Sequence, residues 1–245
     1  MTDPWSVLAL LPFAHIADGH IGPIPLHPFG LLVAIGVVVG HRFASRRALV
    51  LGLDAQRFDD LVFTTVGVGF VLSHVFDAIA YHPELVRAHP IELIMIHHGL
   101  SSFGGFLGAA IGFAFYARRH RIDTWRYADA IAYGLPFGWL FGRAGCALVH
   151  DHPGLASHSI FAVNWPGGPR FDLGLLEMLC TPLLIAAVVL VGRRTKRPGT
   201  VVATLALLYP WIRFPLDFLR VPDPQGGDVR YGYFTPNKKS AIDAY

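Results

Sequence analysis

The sequence predicts an all-α fold, a polytopic membrane helical bundle of about six transmembrane helices with a loop or head region on the outer side. Three observations carry this expectation. Hydrophobic residues make up 53% of the 245-residue chain and charged residues only 15%, where soluble domains carry about 25% charged residues. Mean hydropathy is +0.46. Six apolar stretches approach the roughly 20 residues that a helix needs to cross a bilayer, and the basic residues alternate between their two sides. Such a composition argues against a water-soluble fold and against disorder, which needs low hydrophobicity and high charge. Two cysteines, Cys146 and Cys180, are too few for a disulfide scaffold or an all-cysteine metal cluster.

The elements follow in order. The run Trp5–Ile16 is too short to span and lacks the basic start of a secretory signal, so residues 1–25 read as an interfacial segment. Spans are expected at 26–44, 61–80, 103–117, 128–149, 173–192 and 200–219, with residues 221–245 as a tail. Helices or closed barrels alone satisfy the backbone in lipid, and these runs lack the alternation of barrel strands. Arg42, Arg46, Arg47 and Arg57 follow the first span. Arg118, Arg119, Arg121 and Arg126 follow the third, and Arg193, Arg194, Lys196 and Arg197 the fifth. The loops 81–102 and 150–172 hold only Arg87 and Arg170. Twelve against two is the bias of the positive-inside rule. It places the N-terminus, those two loops and the tail outside the cytoplasm, on a single integral membrane domain covering 1–245. Ten of the thirteen histidines fall on that outer side, which is where chemistry is expected.

Ionisable residues inside spans are costly and default to functional candidates. Arg143 lies in the fourth span between Gly142 and Gly145, with no acid within one helical turn, so its partner must be another helix or a ligand. A planar guanidinium binds oxyanions through paired donors, and the abundant oxyanion in a membrane is a phospholipid phosphate. A guanidinium turned from any cavity and locked onto a carboxylate of the protein would count against that role. Arg213, Asp217 and Arg220 cluster near the outer end of the sixth span, where Arg213 and Asp217 share a helix face. His74 and Asp77 form a weaker set in the second span. Beyond Cys146, the run His150-Asp151-His152-Pro153-Gly154 offers general-base chemistry. It would also offer metal ligands if an extended loop folded its histidines together with His97 and His98. Gly104 and Gly108, four apart, suit close helix packing, and the run Gly99–Gly108 equally suits backbone approach to a headgroup.

Taken together, these residues resemble the phosphatidylglycerol–prolipoprotein diacylglyceryl transferase family. The resemblance is carried by Gly99-Leu100-Ser101 and Gly104-Gly105-x-x-Gly108, then by a basic loop, Pro136-Phe137-Gly138 and Gly142-Arg143-x-Gly145. His27-Pro28-x-Gly30, Glu177 and Tyr209-x-x-x-Arg213-Phe214-x-x-Asp217-x-x-Arg220 extend it over most of residues 25–235. It implies transfer of a diacylglyceryl group from phosphatidylglycerol to a lipobox cysteine thiol of a prolipoprotein, or to a related acceptor, at the outer face of a bacterial inner membrane. It implies no cofactor, no metal and no nucleic acid. The partners it implies are phosphatidylglycerol, membrane lipids and the signal peptide of a prolipoprotein.

By position, Arg143 would hold the lipid phosphate and Arg213 orient the headgroup or leaving phosphate. Gly104, Gly105, Gly142, Gly145, Gly154, Asp217 and Arg220 would line the substrate. The chain departs from the family in having Phe103 for a histidine, Phe29 for a tyrosine, Cys146 and Val149 for asparagines, and Asp151 and Asp217 for glutamates. His150 beside Asp151 is then expected to supply the base. Two other readings stand beside this one: a catalytically silent lipid-binding subunit, and a metal-dependent outer-leaflet hydrolase using His97, His98, His150, Asp151 and His152.

Overall fold

A computed structural model of the protein describes residues 11–14, 16, 19–21, 24–94 and 99–221. His97, His98 and the tail beyond residue 221 lie outside them, as does most of the expected N-terminal interfacial segment. The chain forms two compact units, one of residues 1–44 and 132–245 and the other of residues 45–131.

Helix α1 (Pro28–Val50) starts in the first unit and α5 (Thr124–Val149) ends there. The two are drawn together by glycines. A methyl group at Gly36 would lie 2.6 Å from the Gly138 carbonyl, and one at Gly134 would collide with Gly40 and Ala44. Small residues let backbones meet where lipid offers no hydrophobic drive to associate. After α5 come three strands, β4 (Pro153–Ala156), β5 (Ala162–Trp165) and β6 (Gly168–Asp172), and then α6 (Leu173–Arg194) and α7 (Thr200–Asp217). Strand β1 (Leu11–Pro12) joins them in a sheet of order β1-β5-β6-β4, parallel to β5 while the other pairs are antiparallel. The β5–β6 turn is Pro166-Gly167, and Gly168 follows it at φ +111°. Strands β2 (Gly19–Ile21) and β3 (Ile24–Leu26) form a separate hairpin.

In the second unit, α2 (Ala55–Tyr81) packs on α4 (Ser102–His120). Asp54 caps α2 through the Arg57 N–H, and Ser101 caps α4 through the Gly104 N–H. Gly69, Gly104, Gly108 and Gly112 make the crossing; a methyl group at Gly108 would sit 2.7 Å from Leu72 Cβ. The Ser73 hydroxyl donates to the Ser101 carbonyl at 2.8 Å and fixes the two helices in register. His74 and Asp77 are buried in α2, with Asp77 3.7 Å from His82. Helix α3 (Pro83–Ala88) and a 3-10 turn at Pro90–Leu93 complete the unit.

Two expectations are corrected. The fold is mostly helical but not all-α, because the 150–172 loop folds into strands around its Pro-Gly turn and recruits β1. Three helices, α1, α2 and α6, are long and apolar enough to cross a membrane by length and composition, not six. Helices do occupy the third, fourth and sixth expected spans, as α4, α5 and α7. Their apolarity is interrupted by Arg118 and Arg119 in α4, by Arg126, Asp129 and Arg143 in α5, and by Arg213 and Asp217 in α7. Large apolar side chains point outward on both kinds of helix, Phe63 and Phe115 in the second unit and Leu207 and Trp211 in the first. That is what lipid as the solvent permits and water does not.

Candidate active site

The first unit gathers its charges around one carboxylate. Glu177, one turn into α6, is buried, with its side chain 3% exposed. Its Oε1 accepts hydrogen bonds from the Tyr209 hydroxyl at 2.8 Å and the Trp139 indole at 3.2 Å. Arg143 Nε stands 3.3 Å from the same oxygen, and Arg213 Nη1 is 3.9 Å from Oε2. Helical spacing explains the convergence. Trp139 and Arg143 lie four apart on α5, as do Tyr209 and Arg213 on α7, so each helix offers one aromatic and one guanidinium on one face. Trp139 also supports Arg143 directly, with the guanidinium 4.6 Å from the ring centre.

Arg143 therefore finds its partner on another helix, as its isolation in sequence requires, and it is not a free cation. The pairing uses only its Nε. Its Nη1 reaches Cys146 Sγ at 3.8 Å, and Nη2 has no hydrogen-bond partner among the described residues. Arg213 is held between Glu177 and Asp217, 3.6 Å from the latter, without a hydrogen bond to either. Asp217 also pairs with Arg220 at 3.3 Å. Three guanidinium groups thus share two carboxylates, and donors on two of them remain unspent.

Chain reversal after α5 builds the second part of the site. His150 adopts a left-handed backbone, φ +52°. Its Nδ1 lies 2.6 Å from Asp172 Oδ2, and both side chains are buried. Asp172 meanwhile caps α6 by accepting from the Leu175 N–H at 2.9 Å. Phe13 stacks on the His150 ring at 4.2 Å and Trp165 meets it edge-on at 5.2 Å. The expected partnership of His150 with Asp151 is thereby corrected: the imidazole is held on Asp172 by their 2.6 Å contact and by the packing of Phe13 and Trp165. Asp151 approaches His152 instead, at 3.7 Å.

Burial pushes the Asp151 carboxyl up to about 6, with Asp172 adding to the rise and Arg143 opposing it. Burial pushes His152 down to about 3, helped by Arg143, Arg220 and Arg213, so its imidazole stays neutral. Burial also raises Asp172, against the hydrogen bond from His150.

Of the remaining expected residues, Gly154 is pinched between strands: a methyl group there would lie 2.8 Å from Phe171 Cβ and 3.0 Å from the Leu219 carbonyl. Gly154 also bridges Arg220, tying the sheet to the end of α7. Gly145 admits the Phe29 ring, whereas Gly142 faces open space. Gly104 and Gly105 belong to the second unit, where Gly104 serves the crossing with α2. Cys146, Asp151 and His152 bring potential metal-ligand atoms within 4.8 Å of one another. Arg143 beside the thiol makes that spot better suited to an anion than a cation. Sequence reasoning passed over Trp139 and Asp172, and gave no role to Glu177 or Tyr209. Asp172 had a usable signal, an aspartate immediately before an apolar helix.

A family model described as "Prolipoprotein diacylglyceryl transferase" matches residues 19–238. The chain is 32% identical to the phosphatidylglycerol–prolipoprotein diacylglyceryl transferase of Agrobacterium fabrum, covering 93% of this chain and 88% of that protein. It is 32% identical to the protein of the same name from Chromohalobacter salexigens, over 88% and 82% of the two chains. The similarly named protein of Nitratidesulfovibrio vulgaris is 31% identical, over 88% and 84%.

Proposed function

Since the chain belongs to the prolipoprotein diacylglyceryl transferase family, we propose that it moves a diacylglyceryl group from phosphatidylglycerol to the cysteine thiol of a prolipoprotein. One observation carries the residue assignment: Arg143 and Arg213 arrive from different helices at the single carboxylate of Glu177 with donors still unspent. Two guanidinium groups fixed at that spacing suit a phosphate that gains charge as it leaves. Arg220 and Asp217 hold Arg213 in place, and the open space at Gly142 and the close approach at Gly145 shape the substrate side of α5.

The acceptor thiol is a poor nucleophile until its proton is removed. Asp151, a carboxyl raised to about 6 beside Arg143, accepts that proton. The thiolate then attacks the glyceryl carbon bonded to the phosphate oxygen. A carbon–sulfur bond forms as the carbon–oxygen bond breaks, and the electron pair leaves on the phosphate of glycerol phosphate, facing Arg143 and Arg213. Helices α1, α2 and α6, the three long and apolar enough to do so, cross a bacterial inner membrane, with the 150–172 corner on the outer side.

Incubating the purified protein with phosphatidylglycerol and a lipobox peptide tests the reading. The expected product is a peptide heavier by one diacylglyceryl group in the mass spectrum, together with free glycerol phosphate. Lipid bound without transfer would instead favour the silent lipid-binding subunit.

A further inference from the structure

The mechanism leaves one buried titratable pair without a task. His150 and Asp172 are both enclosed, their side chains 7% and 0% exposed, and they meet at 2.6 Å. Three features around them are independent of that distance. His150 is one of two described non-glycine residues with positive φ, a conformation that side chains larger than glycine adopt only where their surroundings hold them. The corner is clamped on both sides, by the Leu173 N–H donating to the His152 carbonyl at 3.0 Å and by Phe13 and Trp165 around the imidazole. Asp172 is also committed to the first turn of α6, where its Oδ1 accepts from the Leu175 N–H.

Between the clamped points, at residues 150 and 152, stands Asp151. We propose that the His150–Asp172 pair is a positioning device for Asp151: it locks the left-handed corner that aims this carboxylate at Arg143, and it keeps a second carboxylate fixed beside it. The proposal rests on Asp151 being the base. The groups that face Asp151 are Arg143 and Cys146 from α5, His152 from the corner itself, and Asp172 from the start of α6. Arg213 and Arg220 face His152. Of these groups Asp172 alone is a second carboxylate, and it hinders ionisation of Asp151, while Arg143 favours it. His150 touches no reacting atom in this scheme: its Nδ1 is spent on Asp172 and its ring is packed between Phe13 and Trp165.

Three variants in the full chain test this, each read by the pH profile of kcat/KM with phosphatidylglycerol and a lipobox peptide, and by thermal unfolding. Asp172→Asn keeps the side-chain shape but removes the negative charge. It should shift the acid limb down, because Asp172 is among the groups that raise Asp151, along with a fall in rate. His150→Gln breaks the lock but retains the Asp172 charge, so its rate should fall at least tenfold with no downward movement of the limb. A fall in rate for both variants with the acid limb unmoved in Asp172→Asn would reduce the pair to structure and overturn the proposal. So would full activity in His150→Gln. Asp151→Asn separates this failure from failure of the premise: if that variant keeps full activity, Asp151 is not the base, whatever the other two show.

Discussion

At the scale of single residues, the site turns on the difference between a charge that is satisfied and one that is used up. A buried ion pair must recover the cost of removing two charges from water, and commonly it recovers little more. Glu177 recovers it by serving four partners at once, two guanidinium groups and two neutral donors, Tyr209 and Trp139. The arginines are thereby fixed without being exhausted. Geometry of this kind predicts that Arg143→Lys will be a severe substitution. Lysine keeps the charge but loses the planar fork and the stacking over Trp139. Transfer should fall by about 10²–10³, as for loss of one donor to a developing oxyanion, while thermal unfolding in detergent moves little. A lysine variant with near-wild-type kcat would remove Arg143 from phosphate binding.

Asp151 gives a second prediction at this scale. Its folded value of about 6 lies above that of an ordinary aspartate, and a base works only when deprotonated. Activity should therefore fall as pH drops through about 6. His152, neutral down to about 3, contributes no limb in that range. A kcat/KM profile flat from pH 5 to 8 would contradict the assignment.

Elements are joined here by absence of side chain. The α1–α5 crossing places glycine backbone against glycine and alanine, and the α2–α4 crossing seats glycines against Val68, Leu72 and Phe76. Lipid is as apolar as leucine, so what holds two helices together in it is contact distance rather than burial of oily surface. Gly138→Leu should push α1 from α5 and cost about 1–3 kcal/mol by overpacking, read as a lower unfolding temperature. Gly142→Leu, on the same helix but facing open space, should leave the unfolding temperature unchanged. Equal losses for the two would mean that any large side chain on α5 destabilises the fold and that the crossing is not the cause.

For the whole molecule, the chain has to be inserted in one direction for the 150–172 corner to reach its substrates. In the proposed topology, the twelve basic residues following the first, third and fifth expected spans set that direction. Single cysteines introduced at Lys196 and at His158 should be labelled from opposite sides by a membrane-impermeant maleimide in intact cells and inverted vesicles. His158 should react from outside and Lys196 only from the cytoplasmic face. The native cysteines, Cys146 buried and Cys180 partly buried, serve as the slow background. Labelling of both positions from one side would defeat the proposed topology.

Composition alone decided the solvent of this protein, since a chain with 53% apolar and 15% charged residues has nowhere to hide its surface except in lipid. The order of glycines, prolines and arginines also made the family legible, and the lone Arg143 announced that a partner on another helix, or a ligand, had to exist. Sequence could not say which partner. Glu177 is 34 positions away, and only the folding of α5 against α6 puts the two charges 3.3 Å apart. Nor did adjacency reveal that His150 would turn from Asp151 to Asp172, because the left-handed corner is a property of the packed loop. The strands of the 150–172 segment escaped for a similar reason: four- and five-residue strands are defined by their neighbours, whereas a helix closes its own hydrogen bonds and shows its period in the chain. Local periodicity is written in sequence; convergence of distant charges is settled only when helices pack.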